Sequence, residues 1–184
     1  MKKIPTMFER DWNGDRSRVI DQIHPGCEWV QAGEGIATRK IDGTSCFIRD
    51  SKLYKRRELR LGDMQPVDFE LVDHDEETGK TVGWVPVGDG PEDRWHREAL
   101  FANHPRLKNG TYELVGPKVQ GNPEGVSEHL LIPHDNTGGY SCPRTFSGLR
   151  EWIEGQDIEG IVFHHPDGRM AKIKKRDFGF KRRT

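Results

Sequence analysis

Cysteine is scarce: Cys27, Cys46 and Cys142 are the only three in 184 residues. Their number and irregular spacing exclude a disulfide framework, a zinc knuckle or a Cys-x-x-Cys redox pair, so free thiols in a reducing compartment are expected. Long apolar runs are missing too. No segment approaches the roughly 20 residues of a membrane-spanning helix, and Met1-Lys2-Lys3-Ile4-Pro5-Thr6 lacks the apolar stretch of a secretory signal. The expectation is a soluble, cytoplasmic protein with no membrane partner. Internal repeats and low-complexity segments are absent, and neither charge sign dominates, with 29 Lys and Arg against 30 Asp and Glu.

What remains is enough for one core. Five Trp and eight Phe can fill an interior, although only 33% of residues are hydrophobic and 32% are charged. A single domain over residues 1–184 is expected at this length. The near-neutral total hides an asymmetry at the end of the chain. Arg169, Lys172, Lys174, Lys175, Arg176, Lys181, Arg182 and Arg183 face only Asp177 there, which makes this tail a candidate phosphate-binding surface. A solubilising terminus is the ordinary alternative and fits Arg182 and Arg183 better. Ala171-Lys172-Ile173-Lys174 alternates as a strand does and puts both lysines on one side.

Strand patterns run from Gly35 to Ile41, Thr44 to Arg49, Lys52 to Arg56, Val67 to Val72, Thr111 to Val115, His129 to Ile132, Ile161 to His164 and Arg169 to Lys174. Pro166-Asp167-Gly168 predicts a hairpin from Gly160 to Lys175. Helical spacing marks Phe146, Leu149, Trp152 and Ile153, with Thr145 as N-cap and Gly155 just beyond the end. Further helices are expected from Asp93 to Asn103 and from Asp15 to Ile23, and long loops from Leu61 to Pro91. Strands outnumber helices without regular alternation, which favours an α+β, mainly antiparallel architecture.

Chemistry concentrates around Lys40-Ile41-Asp42-Gly43. Lysine is a nucleophile only when neutral, and an isolated lysine near pKa 10.4 is about 0.1% neutral at pH 7.4. Cationic neighbours or a metal must lower that value, and Lys172 and Lys174 could do so while gripping a phosphate. Asp42, Glu113 and Glu159 each stand at the edge of an apolar strand and could hold a metal; each could equally be a strand-end acid facing water.

The ordered series Lys40-x-Asp42-Gly43, Tyr54-Lys55-Arg56-Arg57, Tyr112-Glu113-Leu114-Val115-Gly116, Glu159-Gly160-Ile161-Val162-Phe163 and Ala171-Lys172-Ile173-Lys174 resembles the covalent nucleotidyltransferases. These are the ATP-dependent RNA and DNA ligases and the mRNA-capping guanylyltransferases. Gly83-Trp84-Val85-Pro86-Val87, Asp93-Arg94-Trp95-His96 and His129-Leu130-Leu131-Ile132-Pro133-His134 bring it nearest the small RNA ligases related to vertebrate RNA ligase 1. The resemblance implies a nucleotidyltransferase fold, the ATP-grasp-like ligase adenylation domain of curved antiparallel sheets with flanking helices. With ten residues after Lys174, no C-terminal OB domain is expected.

The implied activity is ATP-dependent joining of an RNA 5′-phosphate to a 3′-hydroxyl, as in RNA repair, with Mg²⁺ or Mn²⁺ and a lysyl-AMP on Lys40. By the same resemblance Arg56, or alternatively Arg57, contacts ribose or the incoming RNA phosphate, and Glu113 binds the ribose hydroxyls. Glu159 and Asp42 serve the metal, and Lys172 and Lys174 hold the α-phosphate. A monomer is the favoured state. The alternatives are a capping-type guanylyltransferase, a DNA-nick ligase and a non-catalytic RNA-binding relic. Arg39 stands where many members place Glu, so the preference for ATP over GTP rests on overall likeness. Gly79-Lys80-Thr81 lacks the earlier glycine of a P-loop, and Asp73, Asp75, Glu76 and Glu77 read as a solvated acidic loop.

Overall fold

The computed structural model describes residues 2–76, 78–103, 107–134 and 138–182. Glu77 of the acidic loop and Arg183 of the cationic tail lie outside the described residues. In chain order the strands are β1 Phe8–Arg10, β2 Val19–Ile23, β3 Ile36–Lys40, β4 Thr44–Arg49, β5 Lys52–Leu59, β6 Glu70–Asp75, β7 Lys80–Pro86, β8 Gly110–Val115, β9 Leu130–Pro133, β10 Gly160–His164 and β11 Met170–Lys174. The α-helices are α1 Glu28–Gln31, α2 Arg94–Asn103 and α3 Phe146–Glu154. The class is α+β, and the paired strands named here are all antiparallel. Two compact units divide the chain, one of Met1–Lys3 and Asp42–Asn136, the other of Ile4–Ile41 and Thr137–Thr184.

The second unit holds a three-stranded sheet in the order β11-β10-β3 and the β1-β2 ribbon. Alternation along β10 and β11 buries Ile161, Phe163, Ala171 and Ile173 on one face against Leu149 and Ile153 of α3. Lys172 and Lys174 take the opposite face, as the alternating pattern requires. Phe8, Phe146 and Phe178 close the core edge to face, with Phe8 and Phe146 5.1 Å apart. The hairpin and the α3 caps match expectation: Thr145 Oγ1 accepts a hydrogen bond from Gly148 N, and Gly155 ends the helix.

Two expectations fail in this unit. The helix foreseen from Asp15 to Ile23 is instead a turn leading into β2. Val19 and Ile23 are four apart, a spacing that suits a helix and one face of a strand alike, and pairing with Phe8–Arg10 decides between them. The Asp15 carboxylate accepts from Ser17 N at 2.9 Å, which bends the chain where a helix would start. Lys175 is likewise not part of a phosphate-binding tail. It is 4% exposed, and its ammonium donates to Glu154 O (2.9 Å) and Gln156 O (2.5 Å) at the C-terminal end of α3. A cation there satisfies carbonyls the helix leaves open.

The first unit holds a six-stranded sheet in the order β6-β7-β5-β4-β8-β9. One face packs Cys46, Ile48, Leu53, Tyr112, Leu114 and Leu131 against Ala99 of α2. The stretch from Leu61 to Pro91 is not all loop, since β6 and β7 lie within it and pair with each other. The strand expected from Val67 to Val72 begins three residues later; Val67 is fully exposed. Asp73 and Asp75 of the supposed acidic loop belong to β6, where Lys3 meets both: its backbone N–H donates to Asp73 and its ammonium to Asp75. Trp84 is buried and stacks on Phe47 at 5.5 Å, on the sheet face opposite the one that packs against α2.

Candidate active site

Lys40 ends β3, and register fixes what stands beside it. Gly160 of the central strand pairs with Lys40 on one side and with Lys174 on the other. Cross-strand partners point to the same face, so the two lysines flank a position with no side chain. Close backbone approach requires glycine there: a Cβ on Gly160 would lie 2.2 Å from Ile173 O and 2.8 Å from Lys174 Cα.

Glu159 occupies the space between the lysines. Its Oε1 accepts from Lys174 Nζ at 2.5 Å and its Oε2 pairs with Lys40 Nζ. Its side chain is 14% exposed. Burial pushes its pKa up, but the charges of Lys40 and Lys174 and their hydrogen bonds outweigh this and hold it below the ordinary carboxylate value. Lys172 lies one row along the same face, opposite Val162, which in turn faces Thr38. Thr38 Oγ1 lies 3.0 Å from His164 Nε2. Arg39 faces Ile161 in the register, on the side of the sheet away from Lys40. The expected cluster of Lys40, Glu159, Lys172 and Lys174 is therefore assembled on one sheet face.

Asp42, Arg56 and Glu113 belong to the other unit. Ser45 pairs with Glu113, and Phe47, on the same face as Ser45, pairs with Tyr54. Two-residue alternation then puts Arg56, Ser45 and Glu113 on one face, with Trp84 as the partner of Arg56 in β7. Arg57 is exposed and projects from the opposite face. Glu113 is 7% exposed and pairs with His134 Nε2 at 2.9 Å. Asp42 N donates to Glu124 Oε1 at 3.0 Å. Gly43 is confined by protein: an added Cβ would meet Leu114 O at 2.2 Å and Glu113 Cγ at 3.0 Å.

RNA ligase 1 of Danio rerio is 30% identical to this chain over 98% of its length and 81% of the relative's. RNA ligase 1 of Pongo abelii is 31% identical over 78% of this chain and 67% of the relative. No family profile matches the chain. The chain belongs to the RNA ligase 1 family.

In this RNA ligase 1 relative, several side chains touch the candidate groups through contacts that local spacing in the sequence does not show. His134 reaches Glu113 only because β9 pairs beside β8, and the two are 21 residues apart. Gln120 donates to Gly43 O, and Glu124 holds Asp42 N, both across long separations. The free cysteines play no part in the cluster. Burial pushes the Cys27 thiol up to about 11, which keeps it protonated and inert.

Proposed function

We propose that the chain is an ATP-dependent RNA ligase acting through a lysyl-AMP on Lys40. The observation that carries this reading is the row Lys40-Gly160-Lys174 with Glu159 shared by both ammonium groups. Membership of the RNA ligase 1 family supports the reaction class, and in this reading the row sets a nucleophile beside a cation for the phosphate.

Attack requires a neutral amine, so Lys40 must release a proton to water and part from Glu159. Its Nζ then forms a P–N bond to the α-phosphorus of ATP while the α–β anhydride bond breaks and pyrophosphate leaves. Lys174, with Lys172 beside it, stabilises charge on the non-bridging oxygens. In the second step an oxygen of the RNA 5′-phosphate attacks the same phosphorus and the P–N bond returns its electrons to Lys40. The 3′-hydroxyl finally attacks the 5′-phosphorus, loses its proton and displaces AMP. Glu113 would accept hydrogen bonds from the ribose hydroxyls, and Arg56 would meet ribose or the RNA phosphate.

Among the described residues no three His, Cys, Asp or Glu side chains form a ready metal cage. Mg²⁺ needs none, since one or two carboxylates, water and substrate phosphates suffice. The hard oxygens of Glu159, which lie against Lys40 and Lys174, fit such an ion, with Asp42 as the second candidate. When bound, the ion would offset phosphate charge.

Intact-protein mass spectrometry after incubation with ATP or GTP tests the proposal. An AMP adduct mapped to Lys40, absent in Lys40→Ala, is expected. A GMP adduct would favour capping chemistry, and an adduct persisting in Lys40→Ala would sink the mechanism.

A further inference from the structure

The turn after β11 forms one wall of a second cationic site. Residues 175–178 make a single 3₁₀ turn, ending at Gly179 with φ 90°. A cavity of about 430 Å³ opens there, lined by Arg10, Arg16, Arg18, Arg176, Asp177 and Lys181 among others. Its floor is built. Asp177 is 1% exposed, pairs with Arg10 at 2.8 Å and accepts from Lys174 N at 2.8 Å through its other oxygen. The φ of Gly179 favours glycine, and the Arg18 guanidinium fills the space a Cβ there would take, with Nη1 0.8 Å from that position. The Arg18 guanidinium is thereby laid against the backbone of the turn.

The lining stays positive after its carboxylates are counted. Asp177 is taken by Arg10, and the neighbouring Asp15 pairs with Arg18 at 3.2 Å. Arg16, Arg176 and Lys181 are exposed at the rim. In a chain of net charge −1 this is a local concentration of cations rather than a general basicity. Guanidinium forks match phosphate oxygens in pairs, and an open rim suits a strand passing over it better than an enclosed small anion.

We propose that this pocket holds a backbone phosphate of the RNA substrate, next to the strand that carries Lys172 and Lys174. The choice of RNA rests on the ligase reading; the phosphate chemistry rests on the pocket. Arg176, Asp177 and Gly179 lie within five residues of Lys174 in the chain, and Asp177 ties the pocket floor to the Lys174 backbone.

Titration of the full chain with a labelled single-stranded RNA, followed by fluorescence anisotropy over a salt series, tests it. Arg16→Ala/Arg176→Ala is expected to bind about tenfold more weakly, with a salt slope shallower by about 1.4, or about 0.7 per lost contact. Arg16→Lys/Arg176→Lys should restore the slope, and AMP-adduct formation with ATP alone should be unchanged. Unaltered affinity and slope in the Ala variant overturn the proposal. Equal loss of the ATP-only adduct also overturns it, since the pocket would then serve the triphosphate. A wild-type chain that forms no adduct defeats the Lys40 reading while leaving the RNA titration to decide the pocket.

Discussion

In the three-stranded sheet two lysines from the outer strands converge on one carboxylate, whereas in the six-stranded sheet the charged groups form separate pairs, Arg49 with Glu70, Lys80 with Glu58 and Glu113 with His134. Arg56 and Glu113 share a face with Ser45 between their strands, and Glu113 has a partner of its own in His134. The first arrangement is a coupled unit: Lys40, Glu159 and Lys174 lose a common partner if Glu159 is removed. The second is a set of separate contacts. Coupled groups should show large, non-additive effects on the chemical step, and separate ones modest effects on binding.

Removing the shared carboxylate is the strongest way to break this contrast. Glu159→Gln should slow adduct formation on Lys40 about 100-fold, or about 3 kcal/mol, as followed by mass spectrometry. Its pH signature is fixed in sign. Glu159 has a folded pKa below its ordinary 4.5, so its ion pairs contribute stability above that value and lose it as pH falls through the folded pKa. The difference in thermal midpoint between wild type and Glu159→Gln should therefore narrow on acidification below about 4.5 and stay flat above it. A gap that widened in acid would contradict the ion-pair assignment.

Lys175, in the turn just after β11, sharpens the comparison. It neighbours Lys174 in sequence yet serves the end of α3. Lys175→Ala should lower the unfolding free energy by about 2 kcal/mol, since two carbonyls lose a charged donor, with the adduct rate per folded molecule unchanged. Denaturant titration beside the adduct assay separates the two readouts.

The six-stranded sheet should answer with the smallest effects. Arg56→Ala is expected to raise the KM for ATP or RNA about tenfold, about 1.4 kcal/mol. Arg57→Ala, on the other face, should leave both within about twofold. If steady-state kinetics reverse that order, the face assignment of β5 is wrong.

Much of the fold was legible where period and punctuation agree. Phe146, Leu149 and Ile153 between Thr145 and Gly155 can only face one way as a helix. Ala171-Lys172-Ile173-Lys174 can only split its faces as a strand. Legibility failed where one spacing satisfies two periods, as for Val19 and Ile23, and at β7, where Gly83 and Pro86 interrupt Val82, Trp84 and Val85. Both cases were settled by a neighbouring strand.

The candidate site divides along the same line. The sequence by itself determined which residue types are present in which order, and that Lys172 and Lys174 share a face, because strand alternation is a local property of the backbone. Only the tertiary structure decided that Gly160 aligns Lys40 with Lys174, that Glu159 serves both, and that Lys175 leaves the phosphate-binding set for a helix end. The Lys40 contacts depend on register between segments more than 100 residues apart, and the Lys175 contact on how the chain after β11 meets the end of α3. Neither is written in local spacing.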